Sequence, residues 1–191
     1  PPSAWGSFLD LSNSVIDYNE APQGGGLFLA ERFIIDGVNV KNNHGGAITF
    51  YNAQGEVNNT RIFQNTPMYN SPGISIVGAN YGVENDWETP GIIFNNVVFS
   101  DNILESNYNG QVNIGASVGG SSYSKVLFNH CTFSLSDPTM NMPAIRTSTV
   151  SGGSTNPPID IIIHNSIIGE HGIGAIYHTS PGADGELNVF I

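Results

Sequence analysis

The chain has 191 residues, of which 23 are glycine and 23 asparagine, while Lys+Arg total only 5. This length is enough for one domain with a real core, and 39% hydrophobic residues with 10% aromatic exclude wholesale disorder. A formal net charge of -11 excludes a nucleic-acid or anionic-membrane partner, because either needs a basic footprint.

Read in chain order, the apolar segments recur. Residues 9–16 are the first, followed by 27–29. Residues 33–40 and 48–50 are the second pair, and residues 55–62 and 74–76 the third. Residues 92–99 and 112–114 come next, then 126–133 and 145–147, then 161–168 and 176–178. Residues 187–191 read as the opening strand of a seventh unit, and no finished end is visible at either terminus. Within each longer segment, two large apolar columns flank a small one. Leu11, Ile35, Val57, Phe94, Phe128 and Ile163 form the first column, and Ile16, Val40, Ile62, Phe99, Phe133 and Ile168 the second. Ser14, Val38, Thr60, Val97, Cys131 and Ser166 lie between them. Period-two alternation of this kind predicts two short strands with inward apolar faces.

The column Asn13, Gly37, Asn59, Asn96, His130, Asn165 holds only residue types that tolerate the left-handed backbone region. It predicts a tight turn between the two strands. A second polar column, Asn19, Asn43, Asn65, Asn102, Ser136, His171, marks another bend. The anchors Ser12, Asp36, Asn58, Asn95, Asn129 and His164 are 24, 22, 37, 34 and 35 residues apart. A coil of three short strands needs roughly 20–25 residues. The longer intervals are therefore a coil plus an inserted loop. The insertions are expected within 78–90, 107–110, 115–124 and 148–158.

The stacked columns resemble a right-handed parallel β-helix of the pectin-lyase-like class, with the turn asparagines resembling its asparagine ladder. Val40-x-x-Asn43, then Gly45-Gly46-Ala47-Ile48, and Phe99-x-x-Asn102 are similar to the FxxN and GGAI repeats of polymorphic outer-membrane and related surface proteins. The resemblance implies an all-β solenoid of about six coils, three strands each, as one domain over residues 1–191. It implies a segment of a longer solenoid or an end-stacking unit. Amides stacked along the turn are expected to stabilise it, so that Asn96→Leu costs more than a change at the loop residue Asn85.

The same fold serves enzymes and non-catalytic surface proteins, so function rests on individual residues. The outward column of the third strands is Phe28, Thr49, Ser75, Asn113, Arg146, Tyr177. Enzymes resembling this fold bind polysaccharide over such a strand. Asn113, Arg146 and Tyr177 are the candidate groove residues, with an ordinary solvated sheet face as the other reading. Glycoside hydrolysis needs two carboxylates, and no Asp or Glu falls in these columns. The loop residues Glu84, Asp86 and Glu88 suit weak Ca²⁺ binding or plain solvation. Tyr81 and Trp87 suit sugar stacking. No metal centre is expected from the scattered histidines, and Cys131 reads as a buried, inert thiol. No stretch is long and apolar enough for a membrane-spanning helix, and no charged n-region with an apolar h-region opens the chain, so any export signal is expected to be absent or already removed.

Outward positions Ile93, Leu127 and Ile162 on the first strands, with Val98 and Ile167 on the second, predict an apolar lateral face. An inserted loop or another subunit is expected to cover it. The columns favour a non-catalytic, extracellular or cell-surface β-helix that displays loops and self-associates. The alternative is a polysaccharide lyase or glycoside hydrolase.

Overall fold

The computed structural model describes residues 8–22, 24–67, 73–78, 91–102, 110–115, 124–137, 140, 142–148, 159–169, 171–172, 174–179 and 187–191. The described strands all pair in parallel and fall into three sheets. The first sheet stacks β1 (Phe8–Ser12), β4 (Arg32–Asp36), β7 (Gln54–Asn58), β10 (Ile92–Asn95), β13 (Ser124–Asn129), β16 (Ile159–His164) and β19 (Leu187–Phe190). The second stacks β2 (Val15–Asp17), β5 (Asn39–Lys41), β8 (Arg61–Phe63), β11 (Val98–Ser100), β14 (Thr132–Ser134) and β17 (Ile167–Ile168). The third stacks β3 (Leu27–Leu29), β6 (Ile48–Tyr51), β9 (Ile74–Val77), β12 (Val112–Gly115), β15 (Ile145–Ser148) and β18 (Ile176–Thr179). Each coil contributes one strand to each sheet. The molecule is thus a right-handed β-helix of about six coils, and β19 begins a seventh.

Parallel pairing fixes register, and register fixes which side chains stack. The inward columns meet on the axis: Phe94 stacks on Phe128 at 5.1 Å and Phe99 on Phe133 at 4.6 Å. Phe94 also meets Phe99 edge-on at 5.5 Å within its own coil. These four rings are fully buried, and each contributes about 2–3 kcal/mol by leaving water. The column of small residues does more than leave room. Thr60 Oγ1 donates to the Asn58 carbonyl at 2.8 Å and accepts the Val38 N–H at 3.3 Å. Ser166 Oγ repeats the pattern one end of the rod away, donating to the His164 carbonyl at 2.8 Å and accepting the Cys131 N–H at 3.0 Å. A hydroxyl here satisfies turn groups that no strand can reach.

Every member of the turn column has positive φ: Asn13, Gly37, Asn59, Asn96, His130 and Asn165. Their amides stack as expected, Asn96 Nδ2 donating to Asn59 Oδ1 at 2.9 Å and Asn59 Nδ2 to Asp36 Oδ1 at 2.8 Å. A parallel run joins Asn129, Asn95 and Asn58 through bonds of 3.2 and 3.0 Å. Both runs lie at the surface, however, and Asn96 is exposed.

The buried ladder is at the second bend, and this relocates the stabilising amides. Asn43 gives its backbone N–H and its Nδ2 to Asn65 Oδ1 at 3.0 and 2.9 Å. Asn65 gives Nδ2 to Asn102 Oδ1 at 2.9 Å. The same nitrogens reach back to the Ile16, Val40 and Ile62 carbonyls from Asn43, Asn65 and Asn102 respectively. Asn43 and Asn65 therefore each clamp three coils, and Asn102 ties its own coil to the preceding one. The reason is geometric: at the turn the side chain leaves the axis, whereas at the bend it points into a corner closed by neighbouring coils. Asn85 and most of the expected insertions lie outside the described residues.

Candidate functional site

Strand register builds the outer face of the third sheet. Phe28, Thr49, Ser75, Asn113, Arg146 and Tyr177 are successive in-register neighbours, one per coil. A second outward row runs Tyr51, Val77, Gly115, Ser148, Thr179. Asn113, Arg146 and Tyr177 are half-buried and adjacent. Arg146 Nη2 donates to Thr179 Oγ1 at 3.4 Å, and Asn113 Oδ1 accepts the Gly110 N–H at 2.8 Å. Thr49 departs from its column: it is outward yet 5% exposed. Gly24 lies over it, close enough that a Cβ there would touch the Thr49 side chain.

Charge is unevenly shared among the faces. The described strand carboxylates Asp10, Asp36, Glu56 and Asp160 lie on the first sheet and Asp17 on the second. Among the described residues, the outward rows of the third sheet hold Arg146 and no carboxylate. At the low-numbered end of this face, Phe28 and Tyr51 lie in near-parallel planes, centroids 6.4 Å apart and planes inclined by 22°. They are 52% and 45% exposed. The outward column already contained Phe28. The strand runs to Tyr51, one residue beyond the 48–50 segment that its apolar alternation predicts, and so brings the second ring onto this face.

The expected lateral face resolves into two strips. Ile93, Leu127 and Ile162 are in-register neighbours on the first sheet, and Phe190 extends the row. On the second sheet Thr132 separates Val98 from Ile167. The turn asparagines stand between the strips, since they link the two sheets. Ile93, Leu127, Ile162 and Val98 are half-buried, whereas Ile167 is 66% and Phe190 54% exposed. One row toward the start of the same strands, Lys125 and Asp160 also point outward, yet both are buried. Cover therefore reaches the edge of the first strip.

The described histidines lie at turns, at bends and at one inward strand position. His178 points inward, its Nδ1 2.7 Å from the Thr147 hydroxyl. His130 and His164 sit at turns. Among the described residues no three His, Cys, Asp or Glu side chains converge to hold a metal ion. The candidates Glu84, Asp86, Glu88, Tyr81 and Trp87 lie outside the described residues. Cys131 is buried, and desolvation pushes its thiol up to about 11, against weaker lowering by backbone hydrogen bonds from Val97 and Asn129. The Asn58-Asn59-Thr60 sequon is tied into the turn, with Asn58 Oδ1 accepting from Asn95 and the Thr60 hydroxyl buried. No protein-family model, curated protein or solved structure matches this chain.

Proposed function

We propose that the chain is a non-catalytic, extracellular β-helix rod, akin to the surface-protein branch of the pectin-lyase-like class, which displays loops and associates laterally with a second copy. The outward row Ile93, Leu127, Ile162, Phe190 carries this reading. Four apolar side chains in register on a flat strand surface are what a sheet presents to a partner, whereas a solvated face alternates toward polar residues. The low Lys/Arg count and the Asn-rich turns suit an extracellular setting. Sedimentation equilibrium over a hundredfold concentration range tests association. The wild type is expected to gain mass with concentration, and Leu127→Lys to remain monomeric with an unchanged melting temperature. A monomeric wild type at the highest concentration overturns the reading.

The in-register set Asn113, Arg146, Tyr177 keeps a second reading in play, a polysaccharide-active enzyme working over the third sheet. Hydrolysis there needs an acid and a base or nucleophile, and the described outward positions supply no carboxylate. Turnover of acidic polysaccharides, with and without Ca²⁺, that is lost in Arg146→Ala would favour it.

A further inference from the structure

We infer that the second copy docks on the first sheet with its rod antiparallel, related by a two-fold axis that lies in the interface along the strand direction, between β13 and β16. This geometry rests on the lateral association proposed above. The outward row of the sheet is divided lengthwise. Asp10, Ile34 and Glu56 occupy its first three coils, and Ile93, Leu127, Ile162 and Phe190 the next four. Asp10 and Glu56 are exposed. Apolar burial therefore favours overlap of the last four coils, and charge selects among the ways of making that overlap.

Two arrangements with two-fold symmetry bury the four apolar positions face to face. With the axis along the rod, the copies run parallel and each residue of the row meets its own equivalent. Asp10 then faces Asp10 and Glu56 faces Glu56 across sheets about 10 Å apart, in a chain of net charge -11. With the axis along the strands, the copies run antiparallel. Ile93 then faces Phe190 of the second copy, and Leu127 faces Ile162 of the second copy. The acidic coils leave the overlap in opposite directions, and no carboxylate of this row meets its equivalent. The neighbouring row agrees. Lys125 and Asp160 are in-register neighbours of opposite sign, and the same axis sets Lys125 opposite Asp160 of the second copy. Parallel copies would instead set them opposite Asn129 and His164. Lys125 and Asp160 are already buried within one copy, so they edge the interface rather than carry it.

Sedimentation and pulsed dipolar spectroscopy of one labelled protein test this. A nitroxide is attached at Asp10→Cys in a Cys131→Ser background, because Asp10 is exposed and lies outside the overlap. Antiparallel copies place the two labels roughly nine coil steps apart along the rod, about 45 Å. Parallel copies place them about 10–20 Å apart. Asp10→Asn combined with Glu56→Gln gives a second readout. Antiparallel association should stay within about twofold of wild type at low salt, whereas parallel association should tighten as the facing charges go. Sedimentation reads association itself. A monomer at every concentration overturns the lateral reading and the antiparallel geometry with it. A dimer with labels about 10–20 Å apart, a dimer that the neutralised variant tightens about tenfold, or growth beyond a dimer overturns the antiparallel geometry and leaves lateral association standing.

Discussion

Gln111 and His171 are 60 residues apart in the chain, and their Nε2 atoms lie 3.0 Å apart. His171 Nδ1 is 2.9 Å from the Gly169 carbonyl, which can only accept. Nδ1 therefore carries the proton, and Nε2 accepts from Gln111. Gln111 Oε1 in turn accepts from Asn102 Nδ2 at 3.4 Å. One file of hydrogen bonds thus runs Asn19, Asn43, Asn65, Asn102, Gln111, His171 through the bends. Gln111 bridges the coil in which the column has Ser136. There the bend turns outward, and Asp101 Oδ1 takes the Ser136 N–H at 2.7 Å and its hydroxyl at 2.8 Å.

Gln111→Leu should accordingly cost about 2 kcal/mol. It leaves the Ser134 carbonyl with only the Asp101 N–H at 3.4 Å, takes one acceptor from Asn102 Nδ2, which keeps the Ile62 carbonyl, and removes the donor to His171 Nε2. His171→Ala removes only the terminal acceptor near solvent and should cost about 1 kcal/mol. Urea unfolding of both variants checks the order, and equal midpoints contradict the file.

A second comparison separates the buried ladder from the surface one. Asn65→Leu deletes bonds to Asn102 Oδ1 and to the Val40 and Phe63 carbonyls at a site that is 1% exposed. It should cost about 3 kcal/mol or more. Asn96→Leu at the exposed turn loses one surface bond and puts a branched side chain at φ 53°. About 1–2 kcal/mol is expected. Thermal melts of the two variants side by side decide between them.

Legibility in the sequence followed how narrow the chemical choice was. The turn column was readable because positive φ admits little beyond Asn, Gly and His, and all six positions obey. The groove row was readable because period-two alternation carries over from coil to coil. Gln111 was not readable, since a side chain from the approach to a third strand fills a place belonging to another column. A second positive-φ column was hidden too. Tyr18, Asn42, Gln64 and Asp101 each precede a ladder asparagine and have φ of 51–56°. Tyr and Gln are poor choices for that region, so residue type gave no signal. The ladder asparagine that comes after each of them holds the backbone there.

That hidden column yields a stabilising change. Gln64 is exposed at φ 55°. Its backbone N–H donates to the Ser100 carbonyl at 3.1 Å. Gln64→Asn keeps this bond and replaces a strained residue by one that tolerates the conformation. A gain of about 0.5–1 kcal/mol is expected, read as a higher urea midpoint at unchanged slope. A lower midpoint would mean that the Gln64 side chain does more than occupy the bend.

The buried thiol supplies a pH dependence whose sign is fixed. Burial raises Cys131 from 9.0 to about 11. The folded state therefore holds its proton where the unfolded chain has released it. The stabilising difference is fully present below about pH 9 and is lost as pH rises through about 11. Around pH 10.5 the loss is about 2 kcal/mol. Other groups also titrate there, so the informative quantity is the difference between wild type and Cys131→Ser. Serine suits the column, as Ser166 shows one coil on, and it does not ionise in this range. Urea unfolding at about pH 8 and about pH 10.5 should show wild type losing about 2 kcal/mol more than the variant. Parallel losses would mean that Cys131 ionises freely in the folded rod. The native thiol would then also react with a thiol reagent near neutral pH, whereas a buried, protonated one reacts only on unfolding.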